Sequence, residues 1–205
     1  MTKGTEGYEN AAQLFIETSR KLDFHKVCAD FIAFLPKPPA KVLDVGSGAG
    51  QNAIALAALG FKVTAVEPVQ SFLEASKEAD TTQAVKWLQG DLPQLNCLPL
   101  TLDKSLEKFD FVLIAAVWHH LDETQRELAV LRLSTLIKKG GKCAISLRNG
   151  PAGLGSRVFA TDVKQTIRQF ENLGFQSLLS RTNQNSILAN KEDVKWARIV
   201  LLNTH

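Results

Sequence analysis

The sequence predicts an α/β fold, a doubly wound and mostly parallel sheet covered by helices, with further helices ahead of its first strand. Three observations predict it. Strand-like apolar runs alternate with segments of helical period along most of the chain, the pattern of parallel strands joined by crossover helices. The first run, Val42 to Val45, breaks into the glycine-rich Asp44-x-Gly46-x-Gly48-x-Gly50 and passes at once into a helical pattern. The last two runs are joined by a short connection, which suits an antiparallel hairpin at one edge.

Residues 8–35 are expected to be helical. Phe24, Val27, Cys28, Phe31 and Leu35 fall at helical spacing, and Pro36, Pro38 and Pro39 end the segment. Val42, Leu43 and Val45 suit a strand covered on both faces. From Gly50, the apolar Ile54, Leu56, Ala57 and Leu59 mark a helix that stops at Gly60. Phe61 to Glu67 reads as a second strand, broken by Pro68, with Ser71 as the cap of a helix reaching Ala79. Ala84 to Asp91 reads as a third strand ending in a turn. Residues 92–108, with Pro93 and Pro99, are poorly patterned and read as a loop with room for one short helix. Phe109 to Ala116 is apolar enough for a central fourth strand and runs into Val117-Trp118-His119-His120-Leu121. Asp122, with Gln125 three residues on, starts a helix carrying Val130, Leu133, Leu136 and Ile137. Lys138 and Lys139 suit its negative end and Gly140 its stop. Lys142 to Leu147 forms a fifth strand, followed by the small and flexible residues 152–157. A helix from Thr161 to Leu173 ends at Gly174, and the final strands lie near Phe175 to Arg181 and Val194 to Leu202.

Glycines let the chain turn sharply and leave room for a ligand against the main chain. A nucleotide-like ligand therefore fits at the carboxyl end of the first strand. An acid ending the next strand, roughly 20 residues on, accepts hydrogen bonds from a ribose. Glu67 stands there. Spacing separates the cofactors. A dinucleotide loop carries a third glycine three residues after the second, a place taken here by Gln51. Asp44, just ahead of the loop, suits a ligand bearing an ammonium and a sulfonium and would repel a pyrophosphate.

The segment Val42 to Ala57, VLDVGSGAGQNAIALA, resembles motif I of the class I S-adenosylmethionine-dependent methyltransferases, and the chain from Tyr8 onward is similar to their bacterial small-molecule members. The resemblance implies a seven-stranded sheet of order 3-2-1-4-5-7-6 with the last strand antiparallel. It implies one domain, with residues 1–39 as a helical lid and residues 40–205 as a Rossmann-like core, and S-adenosylmethionine as the cofactor. By the same resemblance Gly46, Ser47 and Gly48 cradle the cofactor beside Asp44, and Glu67 with Pro68 holds its ribose. Asp91 accepts from the adenine amino group, and the Leu92 backbone binds an adjacent ring nitrogen. Ala116 and His119 belong to the wall after the fourth strand. Tyr8, the only tyrosine of the chain, matches a tyrosine near the start of the family's N-terminal segment, which closes over the cofactor. Plainer readings stand beside these: a packing helix for the N-terminal segment and a turn aspartate after Gly90 for Asp91.

Methyl transfer from a sulfonium is an in-line displacement with an activated leaving group. Holding donor and nucleophile in line is worth up to ~7–11 kcal/mol. A nucleophile carrying a proton also needs a base, worth roughly 10²–10⁴-fold. No catalytic triad is required or visible. His119 and His120 are the candidate bases. Adjacent positions on a strand point opposite ways, so at most one of them is expected to face the pocket if the chain stays extended. The other reading makes both of them, with Trp118, part of the wall. Trp118 and Arg148 are the substrate-side candidates. Arg148, at the end of the fifth strand, either binds a carboxylate or phosphate of the acceptor or is a solvated strand-end arginine.

The Asn/Asp-Pro-Pro-aromatic motif of enzymes that methylate adenine or glutamine is replaced here by Ala-Ala-Val-Trp-His-His. The Pro-Cys nucleophile of cytosine-C5 enzymes and the double-glutamate pattern of arginine methyltransferases are also missing. An apolar fraction of 45% and a charged fraction of 22% in 205 residues suit one globular domain. The net charge of +3 comes without a block of like charges or a basic–aromatic stripe, so nucleic acid is not an expected partner. Cys28, Cys97 and Cys143 are far apart and odd in number, which fits reduced thiols rather than a disulfide framework, and no metal is expected. No apolar leader and no run near ~18 apolar residues occurs, so a cytoplasmic chain without a membrane span is expected. These features together point to methyl transfer from S-adenosylmethionine to a small molecule at oxygen, nitrogen or sulfur. Three alternatives stay open: a non-catalytic cofactor-binding sensor or partner subunit, an NAD-type oxidoreductase, which Gln51 disfavours, and methylation of a protein or RNA.

Overall fold

Strand β1 (Lys41–Val45) buries every residue after Lys41, and does so on both sides of the sheet. Val42 joins Phe24, Phe31, Leu56 and Phe111 on one face, while Leu43 and Val45 join Val112, Ile114 and Leu133 on the other. Successive strand residues point to opposite faces, so a strand apolar at nearly every position belongs in the middle of a doubly covered sheet. The computed structural model, which describes residues 3–100, 106–153, 157–188 and 191–205, places it there. β1 pairs in parallel with β2 (Lys62–Glu67) on one side and with β4 (Phe109–Ile114) on the other. β3 (Val85–Gln89) adds to β2 and β5 (Ile137–Asn149) to β4, again in parallel. β7 (Lys195–Asn203) runs antiparallel to both β5 and β6 (Phe175–Asn185). The order β3-β2-β1-β4-β5-β7-β6 is the one the family resemblance implies.

The N-terminal segment is helical in pieces: 3-10 turns at Lys3–Thr5 and Glu9–Ala11, then α1 (Ala12–Arg20), α2 (Phe24–Val27) and α3 (Ala29–Ile32). The expected run over 8–35 breaks because Asp23 adopts an extended conformation and its side chain caps a new helix, accepting from the Lys26 N–H at 3.1 Å. Helices α4 (Gln51–Ala58) and α5 (Gln70–Ala79) follow β1 and β2. Val69, not Ser71, is the N-cap of α5, and the Ser71 hydroxyl is left without a hydrogen-bond partner. Helix α6 (Glu123–Leu136) starts with the expected reciprocal cap: the Gln125 N–H donates to Asp122 Oδ1 at 2.9 Å, and the Asp122 N–H to Gln125 Oε1 at 3.0 Å. Its end differs from expectation. Ile137 is already extended and pairs with Phe109, so Lys138 and Gly140 lie inside the long β5. Lys138 Nζ reaches Asp110 at 2.7 Å rather than the helix terminus. Helix α7 (Val163–Glu171), capped by Asp162, precedes β6.

The segment 92–108 carries Leu92, Leu95 and Leu98 into the core that α6 covers. The Arg132 side chain holds its carbonyls at Gln94 (2.8 Å) and Leu95 (3.3 Å). Residues 101–105 of this loop, and 154–156 of the run expected to be flexible, lie outside the described residues.

Candidate active site

Above the carboxyl ends of the parallel strands lies a cavity of about 470 Å³. Its near side is the loop after β1. The Gly46 and Ser47 N–H groups both donate to the Val66 carbonyl, at 2.8 and 3.1 Å, which folds the loop against β2. Gly46 sits at φ +69°, and a Cβ there would come within 2.3 Å of Val117 Cγ2. Glycine is required on both counts. Gly48, at φ +56°, donates its N–H to Glu67 Oε2 at 2.8 Å, and Glu67 Oε1 accepts from the Val69 N–H at 2.9 Å.

Glu67 is 4% exposed, and burial pushes its pKa up to about 7 against the opposing pull of those two N–H groups. Asp44, behind the loop rather than on the cavity wall, is likewise raised to about 7, first by burial and then by the neighbouring charge of Glu67. Asp44 Oδ2, Ser47 Oγ and Gln51 Oε1 are buried without a hydrogen-bond partner. Buried polar atoms in folded proteins are nearly always paired. Two raised carboxyls, three orphaned oxygens and a glycine cradle fit a polar ligand that brings hydroxyl donors and positive charge. Pro68, Asp91 and Leu92, the residues expected beside the ribose and adenine, line the same cavity.

Past β4, Ala116 lines the cavity in the left-handed region at φ +61°, with its N–H donating to Ser146 Oγ at 2.7 Å. A non-glycine residue held there stores strain of order 1–3 kcal/mol, a cost typical of ligand sites. Trp118–His120 then form a 3-10 turn, not an extended segment, so both histidines face the cavity. The expectation that at most one would face it held only for an extended chain, a condition the turn removes. Trp118, expected on the substrate side, is not on the cavity wall: it is fully buried, donates its indole N–H to Thr166 Oγ1 at 3.2 Å and lies beside Phe170.

The two imidazoles differ. His120 Nε2 accepts from the Tyr8 hydroxyl at 3.1 Å, and its Nδ1–H donates to the Arg157 carbonyl at 3.4 Å. His119 is 4% exposed and its Nδ1 has no partner. Burial lowers both pKa values, His120 to about 4 and His119 well below its usual 6.5, with positive Arg148 adding to the effect, so both are neutral near pH 7. Tyr8 packs edge-on to Phe15 and Phe72, which stack on each other at 4.2 Å, and so joins the N-terminal segment to α5 over the cavity. Arg148 is 8% exposed and lines the cavity rather than standing in solvent.

Sequence reasoning missed Arg126, Ser146 and Trp196. Arg126 donates to the carbonyls of Trp118 (3.1 Å), Ala160 (2.7 Å) and Phe159 (3.2 Å), pinning the histidine turn. A charge within the stripe Arg126, Ala129, Val130, Leu133 was the available signal. Trp196 faces the cavity only because β7 pairs with β5, which local pattern does not reveal. Among the described residues no group of three or more His, Cys, Asp or Glu is placed to hold a metal, and no helix is long and apolar enough to cross a membrane.

A family model described as a methyltransferase domain matches residues 43–145, half of the chain. A ubiquinone biosynthesis O-methyltransferase of Rickettsia canadensis is 34% identical over 111 residues, 53% of this chain and 43% of that protein. An uncharacterized methyltransferase of Mycobacterium tuberculosis is 32% identical over 124 residues, 58% of each. The aligned region thus spans about half the length of these curated relatives. Among solved structures, 1,6-didemethyltoxoflavin-N1-methyltransferase of Burkholderia thailandensis matches with a TM-score of 0.71 at 16% identity, covering 97% of this chain and 86% of that one. A TehB-like S-adenosylmethionine-dependent methyltransferase of Corynebacterium glutamicum matches with a TM-score of 0.68 at 20% identity, covering 95% and 97%. Likenesses at those identities establish the fold.

Proposed function

The chain belongs to the methyltransferase-domain family, and on that premise we propose that it transfers a methyl group from S-adenosylmethionine to a small-molecule acceptor. The observation that carries the proposal is the Glu67 carboxylate, buried at the end of β2 and fixed by the N–H groups of Gly48 and Val69. A carboxylate has about four acceptor sites, so each oxygen keeps capacity for one of two adjacent ribose hydroxyls.

When bound, S-adenosylmethionine supplies a methyl group already activated on a sulfonium. What remains for the protein is binding and alignment, an effect worth up to ~7–11 kcal/mol. In this proposal Gly46, Ser47 and Gly48 cradle the cofactor, and Asp44 behind them offers negative charge to its ammonium. Asp91 and the Leu92 backbone take the adenine end, with Pro68 beside the ribose and Ala116 on the wall between donor and acceptor. Residues 1–39 act as the lid, tied down where the Tyr8 hydroxyl meets His120. Both nitrogens of His120 are engaged, so His119 is the histidine left to receive an acceptor's proton. A base held this far below its usual pKa suits an acceptor that gives up its proton readily.

Incubation with methyl-labelled S-adenosylmethionine and a small-molecule extract tests the proposal. Label in the low-mass fraction is the expected result. Label confined to protein or RNA, or no transfer despite tight cofactor binding, would contradict it.

A further inference from the structure

Arg148 is a buried cation that no carboxylate meets among the described residues. Its guanidinium donates to two carbonyls, Pro151 at 2.6 Å and Gly150 at 3.5 Å. A guanidinium carries five N–H donors, so most of its donor capacity has no protein acceptor among the described residues. Arginines elsewhere in the fold that leave solvent are better matched. Arg181 and Arg198 share Asp30, and Arg126, buried to the same 8%, directs all three of its nitrogens at carbonyls. Burying a charge is expensive unless it is paired. Desolvation accordingly lowers the Arg148 pKa, and no acid offsets it strongly, only the hydroxyl of Tyr8.

The surroundings describe the missing partner. Arg148 and Trp196 stand directly opposite in the antiparallel β5–β7 ladder, so their side chains share a face. The Trp196 ring meets His119 edge-on, with centroids 6.2 Å apart, and His119 brings the buried nitrogen that lacks a partner. An indole wall, a guanidinium without a counter-ion among the described residues and a neutral imidazole thus line the same part of the cavity. That part is separate from the ribose position. Glu67 ends β2, and β5 lies three strands away in the order β2-β1-β4-β5, about 14 Å at the usual strand spacing.

We infer that this corner is the acceptor subsite and that it takes a small organic acid with a flat, apolar body, its acid group received by Arg148 and His119 and its body lying on Trp196. The inference rests on the methyltransferase function proposed above and adds the substrate class to it. A neutral acceptor would leave the guanidinium unmatched, whereas a carboxylate forms the charge-assisted, bidentate pair that arginine geometry favours.

The test uses benzoate and benzamide, two flat probes alike in size and different in charge. The full chain, first saturated with S-adenosylhomocysteine, is titrated with each by calorimetry. Benzoate should bind at least about tenfold more tightly than benzamide. In Arg148→Met that preference should fall below about threefold, with affinity for S-adenosylhomocysteine unchanged. Trp196→Ala, which leaves the guanidinium in place, should weaken both probes alike. Equal binding of the two probes, no benzoate binding at millimolar concentration, or a preference that survives in Arg148→Met would each overturn the inference. Loss of S-adenosylhomocysteine binding in a folded Arg148→Met would overturn it too, by assigning the arginine to the cofactor's own carboxylate. Failure of the wild-type protein to bind S-adenosylhomocysteine would instead remove the methyltransferase proposal beneath it.

Discussion

Glu67 Oε2 accepts the Gly48 N–H at 2.8 Å, so the acid that ends β2 is fastened to the glycine loop that ends β1. Ribose acceptor and cradle therefore move as one unit. Replacing Glu67 by alanine removes both the acceptor and the fastening. Affinity for S-adenosylhomocysteine should fall by ~1.5–3 kcal/mol, the worth of hydrogen bonds to a charged group, or roughly tenfold and more. Calorimetry on a variant shown to be folded by circular dichroism checks this, and unchanged affinity would refute the role given to Glu67.

Binding should also depend on pH. Asp44 and Glu67 both sit near pKa 7 in the ligand-free protein. Hydroxyl donors and a positive charge favour the ionised carboxylates, so affinity should rise between about pH 6 and pH 8, with protons released on binding. Titrations in two buffers of different ionisation enthalpy measure that release. The folded pKa values exceed those of the unfolded chain, about 4. The ligand-free protein therefore holds more protons than the unfolded chain between about pH 4 and pH 7, and its stability should decline as pH rises through that window.

Gly46→Val combines two faults, a side chain at positive φ and a Cβ within 2.3 Å of Val117. Cofactor binding should be lost while the sheet, whose β1 residues are untouched, still forms. A variant that kept wild-type affinity would place the ligand away from this loop.

Arg126→Met leaves three carbonyls, those of Trp118, Phe159 and Ala160, without their donor. Urea unfolding should show a loss of about 2–3 kcal/mol, the cost of unsatisfied buried polar groups. A loss within about 0.5 kcal/mol, the range of ordinary surface substitutions, would mean that the turn holding His119 is not anchored by this arginine.

Features set by near neighbours along the chain are legible in the sequence itself. The buried run at Val42, the acid that ends β2 and the reciprocal cap of Asp122 with Gln125 are written in residue type and short-range spacing, and all three appear where expected. Features decided by distant partners are not legible in that way. Gly140 reads as a helix stop, yet pairing of Ile137 with Phe109 extends β5 backward through it. Trp118 and the two histidines read as the end of a strand, yet Arg126 and Thr166 draw them into a 3-10 turn that buries the indole and presents both imidazoles to the cavity. Arg148 reads equally as solvated or functional, and its burial opposite Trp196 follows from an antiparallel register that no local pattern encodes.

The central claim is that the glycine loop and Glu67 hold S-adenosylmethionine rather than a dinucleotide. Calorimetric titration of the full chain with S-adenosylhomocysteine, with NAD in a parallel cell, tests it most directly. Micromolar binding of the first, about −8 kcal/mol, and none of the second is the predicted result. Binding of NAD, or of neither, would contradict it.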